Sequence, residues 1–166
     1  LAAGGANPSP SALVEQWNGT NWTEVGDLNQ SKRGLGGSGS APSSQALVFG
    51  GTSEPPLQAS TELWNGTSWT ETTDMSTARQ AMATGGTYPA AFGAGGLTPP
   101  TTAATEEWIG AGAPIGAWST GGSLNTAKSA VGGTPAGTQS AAMASTGQIA
   151  GGSKIASVEQ YNGTNW

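Results

Sequence analysis

Glu62-Leu63-Trp64-Asn65-Gly66-Thr67-Ser68-Trp69 decides how this chain is read, because near copies of it recur along the whole length. Trp17-Asn18-Gly19-Thr20-Asn21-Trp22 precedes it, Tyr161-Asn162-Gly163-Thr164-Asn165-Trp166 follows it, and a drifted copy runs from Trp108 through Gly110 to Trp118. An Asn-Gly pair readily takes the positive backbone torsions of a tight hairpin turn, and flanking aromatic residues suit strands. Each copy therefore reads as a β-hairpin.

Working outward from the hairpins, an acid-containing strand leads into each one: Val14-Glu15-Gln16-Trp17, Thr61-Glu62-Leu63-Trp64, Thr105-Glu106-Glu107-Trp108 and Val158-Glu159-Gln160-Tyr161. Before three of these strands stand a glycine pair and a proline-bearing loop. Gly4-Gly5 precedes Asn7 to Pro10, Gly50-Gly51 precedes Glu54-Pro55-Pro56, and Gly95-Gly96 precedes Thr98-Pro99-Pro100. Such loops link strands without joining the ladder. After each hairpin comes a segment ending in a basic residue: Asp27 to Arg33, Asp74 to Arg79, Ser123 to Lys128. A small-residue stretch then returns to the next glycine pair. Four short strands per unit is the count, with no convincing helix pattern.

Spacing places the last unit. Both Gly132-Gly133 and Gly151-Gly152 imitate the glycine pair, yet 17 residues separate Arg33 from Gly50, and the same count from Lys128 ends at Ser145. Ser145-Thr146 is therefore expected to replace the pair, with Gly151-Gly152 in the loop that follows. Approximate repeat units are 1–32, 33–78, 79–127 and an incomplete 128–166, all in one segment, 1–166. The third unit lengthens its hairpin from Gly110 to Gly116, an expected exposed loop.

The order glycine pair, acid and aromatic, Asn-Gly turn, tryptophan, Met or Leu, then Arg resembles the kelch repeat, most clearly at Gly50, Gly51, Glu62, Trp64, Trp69, Met75 and Arg79. The resemblance covers essentially the whole chain. It implies an all-β fold, a β-propeller of four-stranded antiparallel blades with about 3.5 to 4 blades present, as part of a larger ring. It also implies that the glycine pair ends a second strand, that Trp64 closes a third and that Trp69 opens a fourth. Ser145-Thr146, Lys128 and Trp64 depart from the family's usual residues. The wording of the repeat looks like kelch-type repeats encoded by marine bacteriophages and some bacteria. Ring closure then requires either more chain beyond Trp166, the favoured expectation, or several chains in one ring.

Composition narrows the chemistry. Charged residues are 9% of the chain, against roughly 25% in an ordinary soluble protein, and ten acids face five scattered bases. No basic stripe exists to track phosphates, so no nucleic-acid partner is expected. No run of 18 apolar residues suggests a helical membrane span. With neither histidine nor cysteine, a Ser/His/Asp triad, a thiolate metal site and a histidine-cysteine copper centre are all out of reach, and no cofactor or metal is expected. Tryptophans at fixed repeat positions, Trp17, Trp22, Trp64, Trp69, Trp108, Trp118 and Trp166, read as blade packing, as does Tyr161. Glu15, Glu62, Glu106 and Glu159 fall once per blade, so they read as structural carboxylates bonded to backbone amides or paired with Arg33 and Arg79.

What remains for recognition is the loops between copies. The candidate binding residues are Glu54, Pro55, Pro56, Leu97, Thr98, Pro99, Pro100, Gly110, Pro114, Gln148 and Lys154. The leading expectation is a non-enzymatic binding or structural propeller on a phage particle (tail fibre, spike or decoration) or an extracellular surface. Its partners would be a host glycan or protein, other virion or surface subunits, and in one variant further copies of itself. Two alternatives stand beside it: a secreted carbohydrate-active propeller enzyme whose active site lies in other blades, and a kelch adaptor for protein partners.

Overall fold

A computed structural model describes residues 1–39, 43–110, 116–134 and 136–166. Among them fourteen strands form four antiparallel sheets. The first holds β1 (Ala2–Ala3), β2 (Val14–Trp17) and β3 (Trp22–Glu24). The second holds β4 (Gly36–Gly37), β5 (Ala46–Phe49), β6 (Thr61–Trp64) and β7 (Trp69–Thr72). The third holds β8 (Ala83–Thr87), β9 (Ala90–Ala94), β10 (Thr105–Ile109) and β11 (Ala117–Gly121). The fourth holds β12 (Gly132–Gly133), β13 (Ala142–Ser145) and β14 (Val158–Tyr161). Every sheet is a simple meander, each strand paired with its sequence neighbour.

The aromatic hairpins form as expected: Trp17 pairs with Trp22, Trp64 with Trp69 and Trp108 with Trp118. Their turn differs in detail. Only the glycine takes a positive torsion, Gly66 at φ 96°, while the asparagine works through its side chain. Asn65 Oδ1 accepts the backbone N–H groups of Thr67 and Ser68 at 2.9 and 3.0 Å, a turn closed by asparagine's own carbonyl mimic. Asn18 and Asn162 do the same in their copies.

Three apolar clusters lie between consecutive sheets. Trp64 and Trp69 of the second sheet pack on Val14, Leu28 and Val25 from the first sheet and the segment after it. Trp108 and Trp118 of the third meet Leu47 and Phe49 of the second and Met75 from the segment after it, with Phe49 and Trp118 edge to face at 4.8 Å. Tyr161 of the fourth and Trp166 just after it meet Phe92 and Ala94 of the third and Leu124 from the segment after that sheet. Each aromatic pair thus covers the sheet before its own. Buried tryptophans of this size contribute heavily to such interfaces. Consecutive antiparallel meanders stacked face to face in this way are blades of a β-propeller, and among the described residues two have four strands and two have three.

This rule corrects one expectation. Trp17 and Trp22 are 45% and 51% exposed, because the face they occupy in the first sheet is the one that, in the other three sheets, meets a preceding sheet. Trp64, Trp69 and Trp108 are buried as expected, and Trp118 and Trp166 are partly buried.

Candidate functional site

Each connection between sheets carries a cation whose backbone belongs to one blade and whose head reaches the next. Lys32, Arg79 and Lys128 donate their N–H groups to Ser11, Gln58 and Thr102 of the preceding blade. Their side chains, fully buried, meet Glu62, Glu106 and Glu159 of the following blade. The Lys32 and Lys128 ammoniums lie 2.9 and 3.0 Å from their carboxylates. The second carboxylate oxygen accepts a backbone N–H three residues ahead of the cation, from Asn29, Ser76 or Asn125 at 2.6 to 2.7 Å. Buried charges paired and hydrogen-bonded on both sides are tolerated in the interior. Glu62, Glu106 and Glu159 are therefore inter-blade staples, whereas Glu15, read as their equal from the sequence, is exposed in the first sheet.

The partner of Glu62 is Lys32 and not Arg33, which corrects the sequence reading. Arg33 is exposed and pairs with Glu54 on the surface. Lys32 and Arg33 are adjacent bases, so repeat spacing counted from Arg33 is one residue out. Counted from Lys32, Gly50 is 18 residues on, and 18 from Lys128 reaches Thr146. The structure agrees: Gly4, Gly50, Gly95 and Thr146 each donate N–H to the residue before the third strand, and all four have positive φ. The fourth counterpart of Gly50-Gly51 is thus Thr146-Gly147, with Ser145 still in β13. Gly151-Gly152 lies in the following loop as expected.

Electrostatics follow the burial. Desolvation lowers the Arg79 guanidinium from its ordinary value, with the Glu106 charge and hydrogen bond opposing. At Glu159 burial pushes upward, yet the Asn125 amide, the Lys128 ammonium and the Asn125 side chain together hold the carboxyl below its usual range. Burial raises the Tyr161 phenol, helped by Glu107.

The loops between the second and third strands, three of them proline-bearing and Gln148–Lys154 without proline, form one continuous rim. Each is closed by a bridge, Ala6 to Pro10, Thr52 to Leu57, Leu97 to Thr101 and Gln148 to Lys154. The inter-blade segments stitch neighbouring loops together, since Lys32 bridges Ser11 while Arg33 bridges Thr52. Gln80 bridges Leu97 and Ser129 bridges Gln148 in the same manner. Asn7-Pro8, Pro55-Pro56 and Pro99-Pro100 are cis. Glu54, Pro55, Pro56, Pro99, Pro100 and Lys154 are exposed, and Leu97, Thr98 and Gln148 partly so. Gln148 and Lys154 also line a cleft of about 330 Å³ with Ala130, Thr146, Gly147 and Ile155.

Not every candidate joins this rim. Gly110 lies in the hairpin between the third and fourth strands, at the opposite end of its sheet, and Pro114 falls outside the described residues. Two rim members went unselected in the sequence reading. The Ala6–Pro10 loop bears the same glycine-then-proline signature as the second and third, and Arg33 was hidden by its assignment to the repeat. Among the described residues no group of three acidic, histidine or cysteine side chains is placed to hold a metal ion. The rim offers hydroxyls, amides, proline faces and isolated charges, a surface suited to hydrogen-bonded and stacking recognition.

No family model matches the sequence, and no curated protein matches it. Among solved structures the chain is similar to one described as "Structure of YjhT", with a TM-score of 0.69 at 12% identity. The match covers 90% of this chain and 48% of that one, so the chain spans about half the length of its structural neighbour. At this identity the likeness shows the fold: an all-β chain of stacked propeller blades.

Proposed function

We propose that this chain is part of a kelch-type propeller that binds rather than catalyses, acting at a virion or extracellular surface through the loop rim on a host glycan or protein. One observation carries the reading. In the second, third and fourth sheets the recurring side chains, Glu62, Trp64, Trp69 and their counterparts, are turned into the interfaces between sheets, whereas the loops that differ between copies share a single rim. Rigid sheets presenting variable loops are a common arrangement for recognition. Low charge and a Gly/Ser/Thr-rich surface suit exposure outside a cell.

The test is binding by the complete protein to glycan arrays and to host-surface extracts, in parallel with a Gln148→Ala/Lys154→Ala variant and one with the Glu54–Pro56 loop replaced by glycines. Selective binding lost in at least one rim variant, with unchanged thermal stability, supports the reading. Binding that survives every rim change, or turnover of a bound sugar, overturns it. Absence of any binding together with defective particle assembly on deletion converts it to a purely structural role.

A further inference from the structure

The first sheet contains a fourth copy of the socket that elsewhere receives the inter-blade cation. In the third sheet the socket is made by Glu106 and by the carbonyls of Gly95 and Ala104, which accept the Arg79 guanidinium at 3.2 and 2.7 Å. The corresponding residues of the first sheet are Glu15, Gly4 and Leu13, fixed by the shared bond from Gly4 N–H to Leu13 and from Gly95 N–H to Ala104. All three line one groove of about 440 Å³. The adjoining aromatic pair is already set. Trp17 and Trp22 have centroids 5.5 Å apart at 45°, against 5.4 Å and 41° for the covered pair Trp64 and Trp69.

The sockets also differ in a way that sorts their guests. Where lysine enters, the residue before the third strand is serine, and its hydroxyl accepts the ammonium: Lys32 on Ser60 at 2.8 Å and Lys128 on Ser157 at 3.5 Å. Where arginine enters, that residue is Ala104, and the planar fork reaches two main-chain carbonyls in place of a hydroxyl. An ammonium is a compact charge needing a donor-by-donor shell, while a guanidinium spreads its donors in a fixed fork. Leu13 places the first sheet in the arginine class. Its side chain adds an apolar flank suited to a guanidinium stem.

We propose that the face of the first sheet formed by Gly4, Leu13, Glu15, Trp17 and Trp22 is a docking face for an arginine-bearing repeat segment of the Asp74–Arg79 kind, offered by a further blade, and that it selects arginine over lysine. The argument rests on the fold and not on the binding role of the rim. Charge complementarity and continuity with three internal interfaces name the occupant: the Glu15 carboxylate, with Glu24 beside it in the same groove, for the cation, and the tryptophan pair for one apolar residue of the Leu28, Met75, Leu124 series.

The probe is a peptide with the sequence of residues 72–80, compared with its Arg79→Lys form, titrated to millimolar concentration against the 166-residue chain. Tryptophan fluorescence and the indole N–H signals of Trp17 and Trp22 report occupancy. The arginine peptide is expected to bind about tenfold more tightly than the lysine one. Leu13→Ser, at a half-exposed position, is expected to erase or reverse that preference, and Glu15→Gln to weaken both peptides. Equal affinities in the unaltered chain, a preference indifferent to Leu13→Ser, binding indifferent to Glu15→Gln, or no response from Trp17 and Trp22 at millimolar peptide would each overturn the proposal.

Discussion

Replacing Val14 by threonine is expected to strengthen the interface between the first two blades, although it places a hydroxyl in a fully buried position. The reason lies in the neighbouring interfaces. Trp118 Nε1 donates to Thr61 Oγ1, and Trp166 Nε1 donates to Thr105 Oγ1, both at 3.0 Å. Val14 occupies the position of Thr61 and Thr105, at the start of the third strand and with no exposure, and it packs in the same cluster as Trp69. Trp69 Nε1 is buried and has no hydrogen-bond partner. A buried orphan donor costs about 1–3 kcal/mol, so Val14→Thr, nearly equal in volume, should gain about 1 kcal/mol net by supplying the acceptor. In a Trp69→Phe background the donor is gone, and the same substitution should cost about 1–3 kcal/mol as an unpaired buried hydroxyl. Urea unfolding of the four proteins in the cycle, read at constant m-value, measures the difference. A midpoint temperature rise of about 2–4 °C should accompany the single change in a chain of this length. If Val14→Thr destabilises equally with and without the indole N–H, the assignment of Trp69 as an orphan waiting for threonine is wrong.

Three further outcomes follow from the same interfaces. Glu106→Gln leaves the buried Arg79 without its counter-charge and should cost about 3–5 kcal/mol in urea unfolding, whereas Glu15→Gln, at the exposed counterpart, should change stability by less than about 0.5 kcal/mol; similar costs at both sites would deny the staple role. Because the Glu159 carboxyl is held below its ordinary range, its stabilisation is complete above the unfolded carboxylate pKa of about 4.3 and is lost as pH falls through the lower folded value; the fall in urea midpoint below about pH 4.3 should be shallower in Glu159→Gln, and an unchanged slope would count against it. Gly66→Val forces a β-branched residue to a φ of 96°, with its Cβ 3.3 Å from the Ser44 carbonyl, and should cost about 1–3 kcal/mol, seen as a lower thermal midpoint.

The repeat made the blades legible because two features with strict geometry recur, the first in every blade except the third, where Ile109-Gly110 replaces Asn-Gly. An Asn-Gly turn between tryptophans fixes a hairpin, and a residue with positive φ beside a glycine fixes the end of the second strand. Where a mark was doubled or lost, legibility failed by one residue. Lys32 and Arg33 are chemically alike in sequence, and only the direction of their side chains, inward to Glu62 or outward to Glu54, tells them apart. Thr146 holds the glycine's backbone conformation, φ 56°, without being glycine. The exposure of Trp17 and Trp22 was illegible for a different reason, since burial belongs to the neighbouring sheet and not to the residue.

The same contrast explains why the rim could be located as loops but not as a surface. Glycine pairs and prolines mark Glu54–Gln58 and Leu97–Thr102 as leaving the ladder, and repeat spacing marks Gly147–Lys154, but their joining depends on main-chain bridges from Arg33, Gln80 and Ser129. Bridges of this kind use peptide groups that every residue carries, so no side-chain pattern announces them. The inter-blade segment therefore has two faces with separable duties. Lys32 points inward and locks one blade to the next, while Arg33, its immediate neighbour, points outward beside Glu54 and contributes to the rim. Alternation along a short extended segment is enough to produce that division, because successive side chains leave on opposite sides. Inter-blade locking and the rim are consequently built by adjacent residues of one segment, and substitutions at Arg33 and Gln80 can alter the rim while Lys32 and Arg79 keep the blades together.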